Sequence, residues 1–191
     1  MMSIKDLCNA CETGYNQTVE AILARGQVDV NSHDQYGTTP LMWAMCSNHP
    51  SIVTTILAYP NTKLDCSNTY TGDTGLHYAC CCNSPSVIPI IGQDRRCTPG
   101  IINIRNNMGR TPLMYAVEQG HLDCVKEMGR LEGTDFQTMN NQGKSLLEVA
   151  RKKKHATVVQ YLTERIGQVA ADVATNTLKE NAPGNEIKGK F

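Results

Sequence analysis

The chain has 191 residues, with 18 basic and 18 acidic side chains, and 40% of its residues are hydrophobic. This even balance excludes a global field that would draw nucleic acid or an anionic bilayer to the surface. Nine cysteines, an odd number scattered without a framework of spacings, fit a reducing compartment better than a disulfide scaffold.

Residues 1–5 contain no long apolar run, signal pattern or lipidation motif, so the cytoplasm is the expected location, with the nucleus second. After them one pattern keeps returning: TPLMWA at 39–44, TGLHYA at 74–79, TPLMYA at 111–116 and a worn SLLEVA at 145–150. Alignment on its leucine gives Leu7, Leu41, Leu76, Leu113 and Leu147, and three positions on Ala10, Ala44, Ala79, Ala116 and Ala150. Later in each unit fall Val19, Val53, Ile88, Val125 and Val159, then Ile22, Ile56, Ile91, Met128 and Leu162. Recurrence at this period is the signature of a solenoid of helical hairpins.

One unit shows the chemistry. In the second, Gly37 supplies a turn, Thr39 caps a helix with its hydroxyl, and Pro40 takes the first helical position, where no amide donor is needed. After a break at Asn48, His49 and Pro50, a second helix over 51–59 carries Ile52, Val53, Ile56 and Leu57 at helical spacing. Neither helix buries its apolar stripe alone, so unit must stack on unit.

These motifs resemble the ankyrin repeat family. The residues that carry the resemblance are Gly37 with Thr39, Pro40, Leu41 and Ala44, then Gly72 with Thr74, Leu76, His77 and Ala79, and Gly109 with Thr111, Pro112, Leu113, Ala116, Gly120 and His121. VDVN at 28–31 looks like the family's hairpin-forming link. Met42 and Met114 depart from it at its usual histidine, Gly75 at its proline, and TDFQTMN at 134–140 is an atypical link. The resemblance implies an all-α solenoid of five helix-turn-helix units with short hairpin links, over 1–165, the units lying near 4–33, 34–67, 68–105, 106–139 and 140–165. A short helical extension is expected after 166, then a disordered tail beyond Ala174 to 191, whose composition cannot bury a core.

Particular stretches carry their own expectations. The polar flank of the first unit (Lys5, Glu12, Gln17 and Glu20) and the run Arg151, Lys152, Lys153 and Lys154 in the last read as solvated caps, so a self-contained chain is expected. LARGQVDVN at 23–31 resembles the sequence preferred by the asparaginyl hydroxylase of ankyrin repeats, with Asn31 as acceptor; the alternative is that Asn31 holds its hairpin. In the third unit Pro89 is tolerable within a first turn capped by Ser86, and Pro99 with Gly100 reads as a turn. The loop 92–100 should bulge from the surface with Arg95 and Arg96 solvated.

No cofactor is expected, and neither a catalytic base, a paired nucleophile nor a phosphate loop is recognisable, so the chain reads as a non-enzyme without a small-molecule substrate. The expected function is recognition of another protein or peptide along the concave face, as scaffold, adaptor or inhibitor, by a monomer that avoids membranes. Candidate contacts on the hairpin tips are Gln35, Tyr36, Thr38, Tyr70, Thr71, Asp73, Asn107, Met108, Arg110, Gln142 and Lys144. The ends of the first helices add Ser47, Cys81, Glu118 and Gln119. Trp43, Tyr78 and Tyr115 form an aromatic column read mainly as packing. A zinc or redox role for His77, Cys80, Cys81 and Cys82 is the alternative, although a fourth metal ligand is lacking. Nucleic-acid binding through Arg151 to Lys154 comes third.

Overall fold

The computed structural model describes residues 2–180, with side chains to 168. Its helices come mostly in antiparallel pairs: α1 (Ile4–Thr13) with α2 (Asn16–Ala24), α3 (Pro40–Cys46) with α4 (Pro50–Leu57), and α5 (Gly75–Cys81) with a 3-10 turn (Pro85–Val87) leading into α6 (Ile88–Gln93). A short α7 (Pro99–Ile102) follows, then α8 (Pro112–Gln119) with α9 (Leu122–Arg130), and α10 (Leu146–Lys153) with α11 (Ala156–Glu180). Among the described residues the only β-pairing consists of isolated bridges, Ser67 with Thr74 and Met139 with Ser145.

Local chemistry sets these boundaries. Ser3 accepts from Asp6 N while Asp6 Oδ2 accepts from Ser3 N at 2.8 Å, and Thr39, Thr111 and Ser145 receive the amide three residues on in the same way. Pro40 and Pro112 open their helices without losing a needed donor. Every first helix ends on a left-handed residue: Gly14, Asn48, Asn83, Gly120 and Lys154, with φ from 54° to 86°. The next residue then ties the units together. His49 bonds the carbonyl of Glu12 at 3.0 Å, Ser84 that of Cys46 at 2.8 Å, His121 that of Cys80 at 3.0 Å and His155 that of Glu118 at 3.0 Å.

The helices form two layers. In one, α1, α3, α5, α8 and α10 pack each against the next; in the other, α2, α4, α6, α9 and α11 do so. Between the layers lie the leucine, alanine and valine columns, with Leu7, Ala44, Val53, Ile88, Ala116 and Val125 almost wholly excluded from water. Burying each such leucine, isoleucine or valine side chain contributes roughly 1.5–3 kcal/mol, which is why short helices persist that would melt alone.

Several local expectations need correction. In the last pair Leu147 and Val159 are only partly buried, and Leu146 and Val158 enter the core beside them, because the described residues place no further helix pair over that flank. Pro89 does sit in the first turn of α6, but the preceding segment enters at Ser84, whose hydroxyl is used on Cys46, while Ser86 is exposed. Pro99 and Gly100 open α7, capped by Thr98, where a simple turn was expected. Helix α11 continues to Glu180, past Ala174; the expected tail over 181–191 lies outside the described residues. The atypical link is regular in its core residue: Phe136 is buried just as Val30, Leu64 and Ile102 are in the other links.

Arg96 is the largest departure from expectation. Far from being solvated, its guanidinium donates to the carbonyls of Leu57 (2.8 Å), Tyr59 (3.3 Å), Pro60 (3.4 Å) and Thr62 (3.0 Å) and pairs with Asp94 at 2.5 Å. That pair holds the Asp94 carboxyl below its ordinary range. Arg95 is exposed as expected.

Candidate functional site

The hairpin tips are built on one polar column. Asp34 Oδ1 accepts from the amides of Tyr36 and Thr38, Asn68 Oδ1 from Tyr70 and Thr71, Asn106 Oδ1 from Met108 and Arg110, and Asn140 Oδ1 from Gln142 and Lys144, all between 2.9 and 3.1 Å. Each folds its tip by mimicking a backbone turn. A glycine with φ near 70° follows in every tip, at Gly37, Gly72, Gly109 and Gly143. Adjacent tips are joined, Thr69 N donating to Gly37 O at 3.2 Å and Asn107 N to Thr71 O at 3.0 Å.

The aromatic column braces these tips from below. Trp43 Nε1 donates to Asp34 Oδ2 at 2.8 Å, the Tyr78 hydroxyl meets Asn68 Nδ2 at 3.0 Å and the Tyr115 hydroxyl meets Asn106 Nδ2 at 3.2 Å. All three rings are half-buried. Thr38 belongs to this bracing as well. It is 2% exposed, bonded to Asn68 Nδ2 and Tyr78, so it offers a partner no surface and drops out of the candidate contacts.

What remains is a row of side chains on rigid supports. Tyr36, Tyr70 and Met108 occupy the same position in successive tips and are 60%, 71% and 62% exposed, with the Tyr36 ring edge-to-face on Trp43 at 6.4 Å. Gln35, Thr71, Asn107, Gln119, Gln142 and Cys81 are exposed around them, and Ser47, Asp73 and Lys144 partly so. Asp73 is already engaged, accepting from Asn106 Nδ2 at 2.6 Å. Arg110 and Glu118 pair at 3.3 Å, with Arg110 over the Tyr115 ring at 5.6 Å, and they line a hollow of about 330 Å³ with Met108 and Gln142. At the other end Tyr36, Trp43, Gln35 and Asp34 face Lys5, Cys8 and Glu12 of α1 across a cleft of about 550 Å³.

The His77 and cysteine set does not assemble. His77 Nδ1 accepts from Thr74 N at 3.1 Å and Nε2 meets the Arg110 carbonyl at 2.9 Å, so the neutral ring has both nitrogens occupied. Burial holds its pKa below 6.5. In the second unit Met42 takes over part of that role, its sulfur accepting from Thr39 N at 3.4 Å. Cys80 is fully buried, and burial pushes its thiol well above the ordinary range. Cys81 and Cys82 are exposed. Among the described residues no group of three or more potential ligands could hold a metal ion.

Asn31 is engaged across units. Its amide donates to Asn61 O at 2.8 Å and accepts from Lys63 N at 2.9 Å. Asn103 repeats the arrangement, donating to Gly133 O at 2.7 Å and accepting from Asp135 N at 3.0 Å.

A family model for ankyrin repeats matches the chain in three copies, over residues 7–98, 62–140 and 97–176. The chain belongs to the ankyrin repeat family. No curated protein matches it. Ankyrin repeats are in general modules of protein–protein interaction, and among the described residues no helix is long and apolar enough to cross a membrane.

Proposed function

We propose that this ankyrin repeat chain is a non-enzymatic, monomeric, five-unit module of the cytoplasm or nucleus that holds a partner protein or peptide across its tips, as scaffold, adaptor or inhibitor. The supporting observation is the row of Tyr36, Tyr70 and Met108, exposed at one position of consecutive tips whose backbones are fixed by side-chain hydrogen bonds. Aromatic and methionine side chains on preorganised supports are the usual anchors of an interface, since little entropy is lost when they bind. The cleft between Tyr36 and α1 gives such a segment a place to enter, and the Arg110–Glu118 pair a polar rim.

The test is affinity capture from cytosol by the chain and by a variant carrying Tyr36→Ala, Tyr70→Ala, Met108→Ala and Arg110→Ala, matched in helicity. A protein retained by the first and lost from the second supports the reading. Identical captures from both overturn it.

A further inference from the structure

The aromatic column carries its own example of what one of its rings accepts. In the fourth unit the Arg110 guanidinium lies over the Tyr115 ring, 5.6 Å from its centroid, while pairing with the Glu118 carboxylate at 3.3 Å. A ring face attracts a cation through its quadrupole, tryptophan most strongly, and a flat guanidinium can stack there while its N–H groups reach a carboxylate. The same column holds Trp43 in the second unit, where the residue aligned with Arg110 is Thr38, 2% exposed and turned inward to Asn68. Among the described residues the cations lying over rings are Arg110 and Arg165, on Tyr115 and Phe136, so Trp43 has none.

Trp43 is open to a ligand. It is half-buried in the wall of the cleft of about 550 Å³, and the Tyr36 ring meets it at 77°, so that the two rings form an aromatic corner. Carboxylates stand at the same cleft. Asp34 Oδ2 accepts from the Trp43 indole N–H at 2.8 Å. Glu12, exposed on α1, follows Leu7 at the spacing by which Glu118 follows Leu113, and it lines the cleft. Lys5 lines it as well, leaving two carboxylates against one ammonium, and among the described residues none of these three charges belongs to an ion pair.

The geometry points to this cleft as the seat of an arginine side chain from the bound partner, its guanidinium against Trp43 and Tyr36 and its N–H groups donating to Glu12 and Asp34. The inference rests on the reading of the tips as a partner-binding surface and names the chemistry of one anchor. Arginine fits better than lysine because a guanidinium is planar, more weakly hydrated than an ammonium and able to stack and to donate to carboxylates at once.

Trp43 is the only tryptophan of the chain, so the nitrogen-15-labelled full chain gives one indole N–H resonance, and it reports from inside the cleft. The probes are capped peptides Ala-Ala-X-Ala-Ala, with arginine, lysine or its neutral isostere citrulline at X. The arginine peptide should shift that resonance saturably and bind more tightly than the lysine peptide, and the citrulline peptide should bind about tenfold more weakly. Glu12→Gln should weaken the arginine peptide about two- to fivefold, whereas Glu132→Gln, at an exposed residue away from the cleft, should not. No saturable shift, equal affinity for citrulline or for lysine, or an affinity unchanged by Glu12→Gln would each overturn the proposal. Such a failure leaves the capture from cytosol standing, since that draws also on Tyr70 and Met108; identical captures alongside a positive titration would overturn the tip-wide reading and leave the cleft's preference for arginine.

Discussion

His77 and Arg110 belong to consecutive units, and the imidazole Nε2 of the first meets the backbone carbonyl of the second at 2.9 Å. A core side chain of one unit thereby fixes the tip of the next. Because Nδ1 accepts from Thr74 N, only the neutral ring serves both contacts, and its folded-state pKa lies below the 6.5 of the free group.

The sign of the resulting pH dependence is determined. Below 6.5 the unfolded chain takes up a proton at this position that the folded chain refuses, so stability falls as pH drops and levels only below the folded pKa. Urea unfolding free energies of the wild type and of His77→Met should keep a constant separation above pH 6.5, with the wild type more stable, and draw together as pH falls below it. Parallel curves would exclude His77 as the origin.

Arg96 spans from its own unit to the link of the preceding one. Arg96→Ala should cost about 1–3 kcal/mol, read as a lower denaturant midpoint, since several carbonyls lose a charged donor. Arg96→Lys should recover only part of this, a single ammonium being unable to reproduce the fork. Arg95→Ala, at an exposed side chain, should leave the midpoint within about 0.5 kcal/mol.

Gly37 and Gly143 share nearly the same backbone, φ of 68° and 69°, in different surroundings. A methyl group at Gly37 would collide with the Thr69 hydroxyl and touch the Tyr70 ring at 3.0 Å, whereas at Gly143 it would meet nothing within 4 Å. Alanine at Gly143 should therefore cost only the left-handed strain, about 1–2 kcal/mol, and at Gly37 clearly more. Thermal unfolding of the two variants decides this.

Tyr78 and Tyr36 separate bracing from display. Tyr78→Phe removes the hydroxyl that meets Asn68 and Thr38 and should cost about 1 kcal/mol of stability. Tyr36→Ala, at a side chain 60% exposed, should leave stability within about 0.5 kcal/mol while weakening partner capture.

The layered fold was legible because it rests on side-chain type at fixed spacing, which the columns beginning at Leu7, Ala10 and Val19 display openly. Thr38 was misread because an alignment of tips says which residues vary and not which way each points; its hydroxyl turns inward to Asn68. Arg96 was misread because an arginine in a loop becomes a structural group only if unpaired carbonyls from another unit lie within reach, and that depends on how two links meet in space. The adjacent triplet of cysteines drew attention to a grouping that the helix disperses, Cys80 being buried while Cys81 and Cys82 are exposed. Asp34, Asn68, Asn106 and Asn140 could have been read as tip formers, each standing shortly before a glycine.

The Arg96 clamp bears on how a periodic molecule tolerates an error of length. The third unit carries more residues than its neighbours between its second helix and the next tip, yet Ile102 and Asn103 resume the burial and bonding of Val30 and Asn31. The surplus is gathered beside the 57–62 segment of the preceding unit, where one guanidinium ties it down. The spacing of the tips is therefore insulated from changes in unit length, and the two sides of the stack are free to vary on independent terms.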